Sequence, residues 1–199
     1  MKKTGHFLAL LLAVLCLSAS VAWARPTVVI DAGHGGHDRG GVPGDRYPEK
    51  VYTLDVARRL EARLRADGYR TVMTRRGDYF VGLGQRCATA NSQRNAIFIS
   101  IHFNSARREG ANGIETYYYS RRSAGFASAV HSRLVRATPT ENRGLRVRGF
   151  YVIRNTRVPA VLAECGFLTN RSEGRLIAGS VAYRQRLADA LASAIRSRY

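Results

Sequence analysis

Residues 27–36, TVVIDAGHGG, constrain the fold more than any other stretch, because an apolar, β-prone run ends abruptly in Asp31, His34 and glycines. Thr27, Val28, Val29 and Ile30 favour a buried strand, while Gly33, Gly35 and Gly36 release the backbone into a tight exit. Ligand sites in open α/β sheets lie beyond the carboxyl ends of strands. His34 is therefore a site candidate, with a satisfied core histidine as the alternative.

The rest of the chain alternates in the same way. Residues 33–48 form a polar, glycine-rich loop carrying His34, His37, Asp38 and Asp45. It is too long for a plain connector, which makes it functional or disordered. Pro48 and Glu49 open a helix to about residue 67, with Val51, Leu54, Ala57, Leu60 and Leu64 at helical spacing, and Gly68 stops it. A second strand at 69–74 completes a strand–helix–strand unit, which predicts a parallel pair with a right-handed crossover. A helix at 83–93 and an apolar strand at 96–101 follow, the strand running into His102, Asn104 and Ser105. Then come a strand at 113–119, a helix at 123–137, a basic, turn-prone segment at 138–149 and a short fifth strand at 150–153. A sixth strand at 161–163 delivers Glu164, and helices at 172–177 and 181–196 finish the chain. The expectation is one α/β domain with a mixed, mostly parallel six-stranded sheet flanked by helices, and with no internal repeat.

Ahead of that domain, Lys2 and Lys3, an apolar run at 7–19 and the small-x-small pattern Ala22-Trp23-Ala24 read as a secretory signal peptide cut after Ala24. The apolar run is shorter than the roughly 20 residues of a membrane span. Leu15 before Cys16 argues against a lipid anchor, and the lack of paired arginines favours the general secretory route. This predicts a leader at 1–24, a domain at 25–199, a periplasmic or extracellular location, and no stable membrane insertion after cleavage. Beyond the leader, 30 basic residues face 14 acidic ones, a net charge of +16, with Lys50 the single lysine. Such a surface attracts polyanions, which for an exported monomer are wall polymers, peptidoglycan stem peptides and lipid head groups. Nucleic acid is excluded by the compartment and by the lack of any nucleic-acid motif. Cys87 and Cys165 either pair, as an oxidising compartment permits, or remain buried thiols.

Three strand ends thus offer His34, His102 and Glu164, and one helix start offers Glu49. Ends of neighbouring parallel strands converge. Two imidazoles and a carboxylate are a common catalytic ligand set for Zn²⁺, leaving a fourth position for water, and a further carboxylate can act as base. Spacing alone does not decide it, since neither HExxH nor a paired-cysteine pattern is present. Taken singly, the histidines read as loop residues, Glu49 as a charge satisfying the helix dipole, and Glu164 as a solvent-facing strand end.

The motifs VVIDAGHGG (28–36), the helix-opening Glu49, SIHFNS (100–105), GIETYYY (113–119) and AVLAECGFLTN (160–170) resemble the zinc-dependent N-acetylmuramoyl-L-alanine amidases of the type-3 family. The resemblance spans the whole chain after the leader, with the motifs in family order. It implies a cell-wall hydrolase that cuts the amide between the lactyl group of N-acetylmuramic acid and the L-alanine of the stem peptide. It further implies zinc on His34, Glu49 and His102, with Glu164 moving the proton from attacking water to the departing amine. Asn104 or Arg86 are candidates to assist a developing oxyanion, although a helix-surface ion pair is the simpler reading of Arg86. Glu115 is a candidate to orient a ligand histidine or to contact substrate. His37 reads as substrate-side or exposed, and His131 as structural or solvated. Two departures stand out: Ala32 replaces a proline common in relatives, and Phe103 is bulkier than expected. No insertion precedes residue 150 to cover the site, which implies an uncovered enzyme. The competing functions are a zinc peptidase acting within the stem peptide and a noncatalytic wall-binding protein. The complete set of ionisable residues argues against the second.

Overall fold

The computed structural model describes residues 25–41 and 46–199, so the leader at 1–24 and Asp45 lie outside the described residues. Strand β1 (Thr27–Ala32) is buried along its whole length and pairs in parallel with β2 (Thr71–Met73) on one side and β3 (Ala96–Asn104) on the other. Beyond β3 lies β6 (Ala160–Phe167), also parallel, then β4 (Ile114–Tyr118), antiparallel to β6, and finally β5 (Asn142–Val147), parallel to β4. The sheet order is β2-β1-β3-β6-β4-β5. Strands buried on both faces need no alternation, which is why β1 and β3 read as continuous apolar runs.

Helix α1 (Glu49–Ala66) links β1 to β2, and α2 (Leu83–Asn91) links β2 to β3. The chain therefore leaves β1 toward one edge and returns on its other side. That reversal creates a crevice at the carboxyl ends of β1 and β3, the usual ligand position in such sheets. Helix α1 buries Val56, Ala57, Leu60 and Leu64 on the main core, while Val51, expected on the same stripe, is exposed. That core also takes Phe126, Val130 and Leu134 of α3 (Ala124–Ala137) and Leu187, Leu191 and Ile195 of α6 (Val181–Arg196). The opposite face is thinner: α2 and the short α4 (Tyr151–Arg154) cover Val29, Phe98, Ala160 and Leu162. A last helix, α5 (Arg171–Gly179), is capped by the Asn170 side chain.

Two sequence expectations are overturned. Residues 150–153 form a helical turn, not a strand, with the Arg154 N–H donating to the Phe150 carbonyl at 2.9 Å. A short apolar run does not by itself separate strand from helix, and here only Val152 and Ile153 face the core. The fifth strand instead lies inside the basic 138–149 segment. As an edge strand paired only with β4, β5 packs a single apolar side chain, Leu145, against the core, and so carried no hydrophobic alternation. The strand count is unchanged. Cys87 and Cys165 are free and buried in the clusters on opposite faces of the sheet, so they do not pair.

Candidate metal centre

Strand β1 stops opposite Ile101, one residue short of His102, leaving the far end of β3 open on that side. Glu49, the first residue of α1, fills the gap. Its Oε1 accepts from the Phe103 backbone N–H at 2.9 Å and lies 2.9 Å from His102 Nδ1, while Oε2 lies 3.0 Å from His34 Nε2 and accepts from Gly41 N–H at 3.0 Å. The two imidazoles meet edge-on with centroids 4.9 Å apart. One ligand atom from each of His34, Glu49 and His102 lies within 4.8 Å of the others, a set able to hold one metal ion. Burial opposes ionisation of Glu49, but hydrogen bonds and charge from both histidines outweigh it and hold the carboxyl down at about 2. His34 is also desolvated, yet Glu49 and then Asp38 raise its pKa. The donor chemistry fits zinc: two imidazoles, an ionised carboxylate, and room for a further ligand.

Glycine spacing in the opening motif has a direct cause. A Cβ on Gly33 would overlap the His102 ring, and one on Gly40 would overlap the Glu49 carboxylate and the His34 ring. His34 itself sits at φ 60, a left-handed conformation that costs a non-glycine residue about 1–3 kcal/mol and persists only where its surroundings enforce it. Two buried guanidiniums do so. Arg75 donates to the carbonyls of Ala32 (2.9 Å) and Gly33 (2.7 Å), and Arg86 to those of Ala32 (2.7 Å) and His34 (2.8 Å). Arg86 also pairs with Asp31 at 2.7 Å, both residues being buried, and Asp31 accepts further from Thr74 and Ser100. Arg86 is therefore no helix-surface ion pair. Its side chain fixes the backbone beneath His34.

Asp38 Oδ2 lies 2.8 Å from His34 Nδ1, leaving Nε2 for the metal position. A carboxylate on the remote ring nitrogen fixes tautomer and orientation. Glu115, a candidate for such a role, has other partners: Tyr117 OH at 2.6 Å, Asn104 Nδ2 at 2.8 Å and Arg143 Nε at 3.2 Å. Asn104 is thereby committed to Glu115. Sequence reasoning assigned no role to Arg75, Asp31 or Asp38. An aspartate inside a buried strand was the available signal, because a buried charge demands a partner.

Glu164 stands in register with His102 on one side and Glu115 on the other, so three candidate side chains line one row across β3, β6 and β4 on the thinner face. Its position is inside β6, where an end was expected. Glu164 Oε2 is buried with no hydrogen-bond partner among the described residues. Burial, then the charges of Glu49 and Glu115, push its pKa well above the ordinary carboxylate value. A carboxylate of raised pKa with one buried, unpartnered oxygen, beside a cluster able to hold a metal, is suited to proton transfer. A cleft of about 440 Å³ opens over His34 and His102, walled by Phe80, Leu83, Phe150, Tyr151 and Leu162. Outside the site, His37 lies against Phe80 at 4.4 Å, and His131 is buried between Thr116 and Asn142, a structural role.

Comparison with known proteins places this geometry. Residues 28–197 match the family model described as N-acetylmuramoyl-L-alanine amidase. The Bacillus subtilis (strain 168) protein YqiI is 40% identical over 188 residues, covering 92% of this chain and 90% of YqiI. The B. subtilis amidase LytC is 35% identical over 169 residues, or 83% of this chain but 34% of LytC, so the chain spans about a third of that relative. Among solved structures, the catalytic domain of the amidase CwlV from Bacillus (Paenibacillus) polymyxa var. colistinus superposes with a TM-score of 0.83 at 37% identity, covering 87% of this chain and 97% of that one. The Nostoc punctiforme amidase AmiC2 gives 0.81 at 36% identity, with 87% and 97% coverage.

Proposed function

This chain belongs to the N-acetylmuramoyl-L-alanine amidase family, and from that premise we propose that it is a zinc-dependent peptidoglycan hydrolase cutting the amide between the muramic acid lactyl group and L-alanine. The observation that carries the reading is the cluster of His34, Glu49 and His102 with Glu164, one oxygen of which is buried without a partner among the described residues, aligned beside His102. When bound by these three side chains, zinc lowers the pKa of water to about 7 and polarises a carbonyl.

The protein's own groups do the rest. Glu164 accepts the proton released as water adds to the lactyl carbonyl, then delivers it to the departing alanine nitrogen, one carboxyl serving as base and then as acid. Its raised proton affinity matches the second step. Asp38 holds the His34 ring, and Arg75 and Arg86 hold the backbone that carries it. The apolar walls of the cleft exclude water around the scissile group and provide surface for the lactyl and alanyl methyls.

In this reading residues 1–24 are a cleaved export signal and the enzyme, a monomer, works in the periplasm or outside the cell. Its arginine-rich surface meets anionic wall or envelope polymers. Among the described residues, no helix is long and apolar enough to cross a membrane. The test uses purified chain from Arg25 onward, loaded with zinc and given peptidoglycan. Mass spectrometry should find intact stem peptides with a free alanine amine, and metal analysis about one zinc per chain. Cuts confined to bonds inside the stem would replace this reading with a peptidase.

A further inference from the structure

A second concavity, of about 410 Å³, lies between the segment before α1 and the loops that follow β3 and β6. Arg46, Arg107, Arg171 and Arg175 line it together with Glu109. All four arginines are exposed, and among the described residues none of their guanidiniums has a hydrogen bond or ion pair, that of Arg46 lying over the Tyr47 ring at 5.4 Å. They differ in this from Arg75 and Arg86, whose guanidiniums are fully engaged with backbone carbonyls or Asp31. The frame of the concavity is fixed. Thr169 Oγ1 accepts from Ala106 N–H at 3.0 Å, Leu168 N–H donates to Asn104 at 3.0 Å, and Asn170 Nδ2 donates to the Glu109 carbonyl at 2.9 Å.

The same three chain segments supply Glu49 and His102 of the metal cluster, and Glu164. At no more than about 3.6 Å per residue, Arg46 lies within about 11 Å of Glu49, and Arg107 within about 18 Å of His102, measured between Cα atoms. The pocket thus adjoins the segments that carry Glu49, His102 and Glu164, within reach of a chain that continues past the cluster. Guanidiniums recognise carboxylates through charge-assisted, bidentate hydrogen bonds.

Building on the amidase reading, we propose that this arginine pocket binds the free carboxylate on the residue that follows alanine in the stem peptide, and so selects acidic stems over amidated ones. Glu109 opposes the anion and limits its affinity.

The experiment compares two synthetic N-acetylmuramoyl peptides that differ only in bearing a carboxylate or a carboxamide on the second stem residue. The expected result is a KM about tenfold lower for the acid with kcat unchanged, the mark of binding that is equal in ground and transition states. Arg171→Gln with Arg175→Gln should erase the preference, and Glu109→Gln should widen it. Arg94→Gln with Arg157→Gln, in a basic concavity lined by the opposite end of the sheet, should leave it intact. Equal KM values in the parent enzyme would overturn the proposal, as would a preference that survives loss of Arg171 and Arg175. So would a preference lost equally from the distant pair, since that is general attraction by net charge. If neither substrate is cut, the amidase reading fails separately. Calorimetric titration with alanyl-glutamate and its amide then decides the pocket: discrimination abolished by the Arg171/Arg175 double variant supports it, and equal binding overturns it.

Discussion

Glu49 and Glu164 sit on either side of His102 and are treated in opposite ways. At the start of α1, Glu49 has both oxygens engaged, by two imidazoles and two backbone N–H groups, and its pKa falls to about 2. In the middle of β6, Glu164 has a buried oxygen without a partner among the described residues and a pKa pushed up. Both are desolvated, so burial does not distinguish them. The number of donors does. Hydrogen bonding to the charged form makes a carboxylate a fixed ligand, whereas its absence leaves a carboxylate free to take and give a proton.

Substitutions can break this comparison. The largest effect belongs to Glu49→Ala: metal analysis should find zinc lost, and muropeptide hydrolysis should drop to background. Glu164→Gln should instead keep about one zinc per chain while kcat falls by about 10²–10⁴, the range for a positioned acid–base group. Zinc loss from the Glu164 variant would make the two carboxylates equivalent and end the distinction. Asp38→Asn should act through His34 alone, weakening zinc by about 10–100-fold in competition with a chelator, with kcat at saturating zinc much less affected.

The smallest effect is on stability in zinc-free protein. Because the folded state raises the Glu164 pKa, it binds that proton more tightly than the unfolded chain does. The stabilisation is fully present below the ordinary carboxylate value of about 4.5 and is lost as pH rises through the folded value. Glu164→Gln should therefore melt roughly 2–4 °C above the parent at pH 7, and with it at pH 4, followed by thermal unfolding in chelator. Zinc should narrow the pH 7 gap, since a nearby cation favours the carboxylate. A variant that melts below the parent at pH 7 would show that Glu164 is stabilised by partners after all.

Much of this was legible in the chain. Strands β1 and β3 announced themselves as apolar runs and α1 as a periodic one, and His34, Glu49, His102 and Glu164 stood out where such runs meet ionisable residues, although His102 lies inside β3 and Glu164 inside β6. Strand β5 was not, because an exposed edge strand is held by backbone pairing with β4 and imposes no side-chain pattern. Residues 150–153 misled for the converse reason, their apolar side chains being split between core and surface.

The sequence by itself determined the α/β class, the six-stranded sheet and most of the elements in order, and it singled out the candidate metal ligands, since local propensity and hydrophobic period are written in neighbouring residues. Only the tertiary structure decided what each charge does. Arg86 reads as a surface residue until Asp31, 55 positions away, is brought within 2.7 Å of it. Glu115 lost the role expected of it because register across β4, β6 and β3 gave it to Tyr117, Asn104 and Arg143, while the turn after His34 gave that ring to Asp38, to which the sequence had assigned no role. A charge acquires its function from its desolvation and its nearest partners, and both are set by segments far apart in the chain.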